Sequence, residues 1–219
     1  MIQKDYFLRM TEILAAVLTK VLFNKENKNY IDAEKEIESA AKTMVGLDLE
    51  LIRILNIEDI LKLMKTSDLY AGRCLVSAEL LREYSGLYEI KRKETEGKNF
   101  EMKSLHLYIE ALLTKDLSEP EKYFKGINEL ISSCSDNEFS DNLNIKLIDY
   151  YEFSGQYSKA DDIIFELLEN QNEFVFDKAV SFYKKLQGKT NEELKTGNFS
   201  IEEVNEGLEE IQNMREELS

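Results

Sequence analysis

The sequence predicts an all-α protein, an irregular array of antiparallel helix pairs, on three observations. The chain of 219 residues holds nine Gly and one Pro. Average usage would place roughly 26 of the two together, so tight turns and β-hairpins lack their usual residues. There are 29 Leu and 18 Ile against seven Val, and Leu keeps its rotamer freedom in a helix whereas Val favours strands. Apolar residues recur at steps of three and four along most of the chain, the period of one helical face. This length predicts one domain or two small ones.

The elements follow from that period. Tyr6, Met10, Ile13, Leu14, Val17, Leu18 and Val21 predict a first helix over Lys4–Phe23, interrupted by the polar run Asn24 to Asn29. Tyr30, Ala33, Ile37, Ala40 and Met44 restart the pattern, and Gly46 is placed to end that helix. The dense apolar stretch from Leu47 to Lys65 predicts two short buried helices. Ser67 and Asp68 read as the cap of a long helix from Leu69 to Glu94, and Glu96-Gly97-Lys98-Asn99 as a break before a helix over Phe100–Lys115. Pro120 suits the first turn of a helix capped by Ser118 or Glu119 and running to Ser133, because a first-turn N–H has no partner to lose. Helices over Phe139–Phe153, Tyr157–Asn170 and Phe174–Leu186 follow. From Gln187 the chain turns to Gly, Thr and Asn, and Ser200 with Glu203 reads as a capping box for an acidic helix. The expected division is a helical domain over 1–186, a linker over 187–199 and a terminal acidic helix over 200–219.

Charge and cysteine content narrow the function. With a formal net charge of −15 the chain repels phosphate backbones, so no nucleic-acid partner is expected and basic partners are favoured. Cys74 and Cys134 are too few for a disulfide framework or a zinc knuckle and read as reduced thiols of a cytoplasmic protein. The most apolar stretch, Ile2 to Phe23, carries Lys4, Asp5, Arg9, Glu12 and Lys20. It is therefore expected to be neither a membrane span nor a signal peptide.

An internal repeat is visible. Gly155-Gln156-Tyr157-Ser158-Lys159-Ala160 with Ile164 and Leu167, preceded by Leu147, Ile148 and Tyr151, resembles a tetratricopeptide repeat. Tyr30, Ala33, Ile37 and Ala40 repeat its second-helix half, and a degraded third copy runs through Gly97 and Phe100. The opening Met1-Ile2-Gln3-Lys4-Asp5-Tyr6 with Arg9 and Ile13, then Gly46-Leu47-Asp48-Leu49 and the repeat from Gly155 to Leu168, resembles an uncharacterised family of intracellular proteins from Gram-positive bacteria. That resemblance covers most of 1–170 and implies a tetratricopeptide-like fold; it attaches no activity.

No constellation predicts catalysis. Ser39-Ala40-Ala41-Lys42, Ser135-Asp136-Asn137 and Lys195-Thr196-Gly197 reproduce in order the three short motifs of serine β-lactamases. The last of them needs an edge strand, which this chain does not predict. His106 is the single histidine and, with Glu110, supplies at most half a metal site. Asp161 with Asp162, and Asp136 with Glu138 and Asp141, lack the spacing of a calcium loop. No enzyme activity, cofactor or metal is expected. The tetratricopeptide resemblance puts the partner-facing positions at Asn142, Ile145, Asp149 and Glu152, an acidic groove suited to a basic or amphipathic peptide. The alternative is a sensor that binds a small ligand or signalling peptide in a cavity between helices. Ala15, Leu18 and Leu22 on the first helix need a cover, expected from the 47–65 segment or, in a homodimer, from a second first helix.

Overall fold

A computed structural model describes residues 2–66, 69–135, 138–170 and 173–217, and these form twelve α-helices and no strand. The chain divides into two compact units, residues 1–137 and 138–219. Among the described residues no helix is long and apolar enough to cross a membrane.

The first unit comprises α1 (Ile2–Glu26), α2 (Tyr30–Ala40), α3 (Leu49–Ile54), α4 (Ile57–Met64), α5 (Tyr70–Ile90), α6 (Glu94–Leu113) and α7 (Phe124–Cys134). A π-helical turn over Ala41–Val45 extends α2 and stops at Gly46, whose φ of +74° is open to a residue without Cβ. The predicted Asn24 to Asn29 break is shorter than expected: α1 continues to Glu26, and Lys28 turns the chain at φ +60°. The expected cap at Ser67 and Asp68 lies outside the described residues.

The α5–α6 pair is the centre of this unit. α5 and α6 pack along their length, and Leu75, Leu80, Leu81 and Leu87 of α5 and Leu105, Leu107, Ile109 and Leu112 of α6 are all buried. Ser104 Oγ donates to the Ala78 carbonyl at 2.7 Å, satisfying a buried hydroxyl across the pair. Tyr84, Tyr88 and Phe100 cluster with ring centroids 5.0–5.2 Å apart. The break expected at Glu96-Gly97-Lys98-Asn99 does not form, because α6 runs through it. Gly97 lies buried against α5 instead, where an added Cβ would come into ordinary contact 3.4 Å from the Ser85 carbonyl oxygen. The chain reverses earlier, at Arg92 with φ +57°. Pro120 opens a 3₁₀ turn, Pro120–Tyr123, ahead of α7, and the Glu119 side chain makes no capping bond. Its carboxylate pairs with Lys122.

The 47–65 segment does not take the role expected of it. α1 packs on α2 and α5, whereas α4 packs on α5 and α6 through buried Ile60, Leu61 and Met64. Ala15 and Leu22 remain exposed and Leu18 is half-buried. The end of α3 is closed by Lys103, a buried residue of α6 whose Nζ donates to the carbonyls of Ile52 at 2.8 Å and Arg53 at 2.9 Å. Burial and then the Arg53 charge hold this ammonium below the usual lysine range. Lys103→Met is expected to lower stability by about 1–2 kcal/mol, since two helix-terminal carbonyls lose a charged donor. Urea unfolding checks this, and an unchanged midpoint would show that water closes the helix end equally well.

The second unit contains α8 (Asp141–Ser154), α9 (Tyr157–Glu169), α10 (Phe176–Leu186), α11 (Asn191–Thr196) and α12 (Ile201–Glu217). α8 pairs with α9 across Gly155, which has φ +72°, and α10 pairs with α12. The 187–199 segment, expected as a linker, folds within this unit. Thr190 and Glu193 form a complete capping box for α11, and Leu194 and Phe199 are buried. Ser200 Oγ accepts from the Glu203 N–H at 3.2 Å and donates to the Glu203 carboxylate at 2.7 Å. The terminal helix docks on α10 through buried Val204, Gly207 and Ile211.

Candidate partner-binding face

α8 begins at Ser140, whose Oγ accepts from the Leu143 N–H at 3.4 Å. Leu143, Leu147, Ile148 and Tyr151 are buried. Steps of three and four then place Asn142, Ile145, Asp149 and Glu152 together on another side of the helix. Asn142 is exposed and the other three are half-buried. Two α10 lysines complete the face. Lys178 Nζ lies 2.6 Å from Asp149 Oδ1, and Lys185 Nζ lies 2.8 Å from Glu152 Oε1. The four expected residues therefore share a face, but both carboxylates are already ion-paired within the chain. A row of ion pairs stands where an acidic groove was expected. The missing signal was readable: Lys178 and Lys185 are seven residues, two turns, apart on a predicted helix and so share one side of it.

The same unit holds a half-buried acid that the calcium-loop spacing did not single out. Asp161 of α9 accepts a hydrogen bond from the Tyr183 hydroxyl of α10. Burial pushes its carboxyl up to about 6; the Tyr183 bond opposes the rise, and Asp162, Glu203 and Glu210 add to it. An unfolded aspartate titrates near 3.9, so between these values the folded chain holds the extra proton. This contribution to stability is complete below about pH 4 and is lost as pH rises through about 6. Asp161→Asn keeps an acceptor for Tyr183 and is expected to raise stability at pH 7 by about 1 kcal/mol once solvent screening is allowed for. Its stability should also lose the wild-type dependence across that window. Thermal melts from about pH 4 to 7 check this, and parallel slopes for the two proteins would rule Asp161 out as the source.

The other expected groups are dispersed or engaged. Lys42 pairs with Asp48 at 2.9 Å, and this hydrogen bond raises its pKa, the wrong direction for a base beside Ser39. Lys195-Thr196-Gly197 closes α11 and lies on no strand, while Asp136 and Asn137 fall outside the described residues. Glu110 accepts from the Tyr70 hydroxyl at 2.8 Å, and His106, 5% exposed, borders an open cleft of about 680 Å³ with Lys98, Lys103 and Met102. Cys74 and Cys134 are buried, and burial above all pushes their thiols up to about 12 and about 11. Thiolates are thus scarce at neutral pH. Among the described residues no three His, Cys, Asp or Glu are grouped to hold a metal ion.

Comparison with curated proteins and with solved structures returns no match. A family model matches residues 1–216 and so takes in both units, including the segment after Gln187. The chain belongs to that family, the family of unknown function DUF6483.

Proposed function

We propose that the chain is a non-catalytic, tetratricopeptide-like interaction module of the bacterial cytoplasm that holds a basic or amphipathic segment on the α8–α10 face. The observation that carries this reading is the pair of hairpins α8–α9 and α10–α12, whose first helices are bridged by Lys178–Asp149 and Lys185–Glu152. Such a face binds by exchanging partners: a basic segment takes the carboxylates from Lys178 and Lys185, and its apolar side meets Ile145. The formal charge of −15 attracts that class of partner over longer range. The Gram-positive, cytoplasmic setting rests on the resemblance of the opening residues and on two thiols held protonated by burial.

Binding of a fluorescent amphipathic Lys- and Leu-rich peptide tests the reading at low and physiological ionic strength. Asp149→Asn with Glu152→Gln is expected to weaken binding about tenfold at low salt, the equivalent of two partly exposed charge contacts. Lys178→Gln with Lys185→Gln, which releases both carboxylates, is expected to strengthen it. Equal affinity across wild type and both double variants would remove the peptide from this face. A second reading, a small-ligand or signalling-peptide sensor, is favoured by the cleft of about 680 Å³ beside Lys98, Lys103 and His106. For that reading, ligands that raise the melting temperature should lose their effect in Met102→Trp, which fills the cleft.

A further inference from the structure

The exposed side of α1 carries a line of apolar residues that the rest of the first unit leaves uncovered. Leu8, Thr11, Ala15, Leu18 and Leu22 follow one another at steps of three and four and form a single seam along the helix. Leu8 is 59% exposed and Leu22 49%, and Phe23 beside Leu22 is 62% exposed. The two threonines of this side add methyl groups more than polarity. Thr11 Oγ1 donates to the Leu8 carbonyl at 2.7 Å and Thr19 Oγ1 to the Ala15 carbonyl at 2.8 Å, so neither hydroxyl needs water. Of the charged residues between Phe7 and Phe23, Arg9 and Lys20 are turned about 140° from the seam, and Glu12 alone flanks it.

We infer that the occupant of this seam is the α1 of a second chain, running antiparallel, with Ala15 on the two-fold axis. Three features select this occupant. The ends of the seam are symmetric about Ala15: Leu8 and Leu22 stand seven residues to either side and Thr11 and Thr19 four, while Leu18 falls opposite the second chain's equivalent of Glu12 at the flank. In an antiparallel pair each Leu8 therefore meets the partner chain's equivalent of Leu22, and small Ala15 against its copy lets the helices approach. Charge points the same way. α1 carries four basic and three acidic residues in a chain of net charge −15, so contact through α1 brings two acidic chains together across a segment that is not itself acidic. Shape is the third feature. Leu8 and Thr11 border a pocket of about 310 Å³ whose far wall is Leu117, Glu119 and Tyr123. The antiparallel register sets the second chain's equivalent of Leu22 at its mouth.

From Leu8 to Leu22 the seam is about 20 Å long. A contact of that length buries on the order of 1,000 Å² over both chains, near the lower limit of specific interfaces, and predicts a dimer that dissociates in the micromolar range. Sedimentation of the full chain from about 1 to 200 µM should show monomer passing to dimer; monomer throughout overturns the inference. Leu8→Lys with Leu22→Lys should be monomeric at every concentration with an unchanged melting temperature, because both side chains are half exposed. A dimer that persists in this variant overturns the seam. Cysteine crosslinking fixes the register, since the native Cys74 and Cys134 are buried and do not compete. Ala15→Cys should form a disulfide dimer on oxidation, and Leu8→Cys mixed with Leu22→Cys should crosslink where neither does alone. Crosslinking of Leu8→Cys with itself would indicate a parallel pair and overturn the two-fold at Ala15.

Discussion

Gly207→Val is expected to unseat α12 from α10 and to lower the stability of the second unit by about 3 kcal/mol. Gly207 is buried on the docking side of α12, where a Cβ would lie 2.5 Å from Tyr183 Cε1 and 2.7 Å from the Tyr183 hydroxyl. A flexible side chain would swing aside at small cost, but Tyr183 is held. Its ring is fully buried, its hydroxyl is bonded to Asp161, and Phe182 packs on it edge to face at 5.2 Å. α12 must therefore move, and with it Val204 and Ile211, which are fully buried. Gly207→Ala introduces the same first clash and is expected to cost about 2 kcal/mol. Native-state hydrogen exchange gives the local readout: protection should fall along α12 while α8 and α9 keep theirs. The exposed neighbour serves as control, since Glu206→Ala should leave exchange unchanged. Full protection of α12 in Gly207→Val would show that Tyr183 is free to repack.

How far the sequence disclosed this arrangement depends on the range of the interaction that fixes each part. Local signals were enough for the existence of the helices: the three-and-four period placed α8, α9 and α10 within a few residues, and Gly46 ended its helix as expected. The same local reasoning failed at Gly97 and at 187–199. There a Gly, or a run of Gly, Thr and Asn, looked like a break because nothing nearby told of the neighbour it packs against. Gly97 is buried against Ser85 and Tyr88, twelve and nine residues earlier, and the apparent linker is pinned by Leu194 and Phe199. The candidate face was half legible. One helix and its period sufficed to align Asn142, Ile145, Asp149 and Glu152, but the charge of that face is set by Lys178 and Lys185 on another helix. Which side of α1 the core covers was equally non-local. The period identified an apolar face and could not say that α2 and α5 would cover one side and leave the adjacent seam of Leu8, Ala15 and Leu22 uncovered.

Arg73→Ala is expected to lower the stability of the first unit by about 3 kcal/mol, although among the described residues the side chain is given no acidic partner that would mark it as important. Arg73 projects from the first turn of α5 into two helix ends at once. Its Nε and Nη2 donate to the Val45 carbonyl at 3.2 and 2.7 Å, where the turn that extends α2 stops, and its Nη1 donates to the Met64 carbonyl at 3.2 Å at the end of α4. Carbonyls in the last turn have no partner within their own helix, and the aligned peptide dipoles make that end negative, so a cation there is favoured. Each charged hydrogen bond contributes about 1.5–3 kcal/mol and the dipole attraction up to about 1 kcal/mol; water reaching the vacated carbonyls recovers part of the sum. A guanidinium is required for the fork, because its planar donors reach two carbonyls in fixed directions while an ammonium on a shorter stem reaches one. Arg73→Lys should accordingly restore less than half of what Arg73→Ala removes. Urea unfolding followed by circular dichroism separates the cases. Should Arg73→Lys match wild type, the charge alone would hold α2 and α4 to α5; should Arg73→Ala lose under about 1 kcal/mol, these helix ends would be as well served by water as by the arginine.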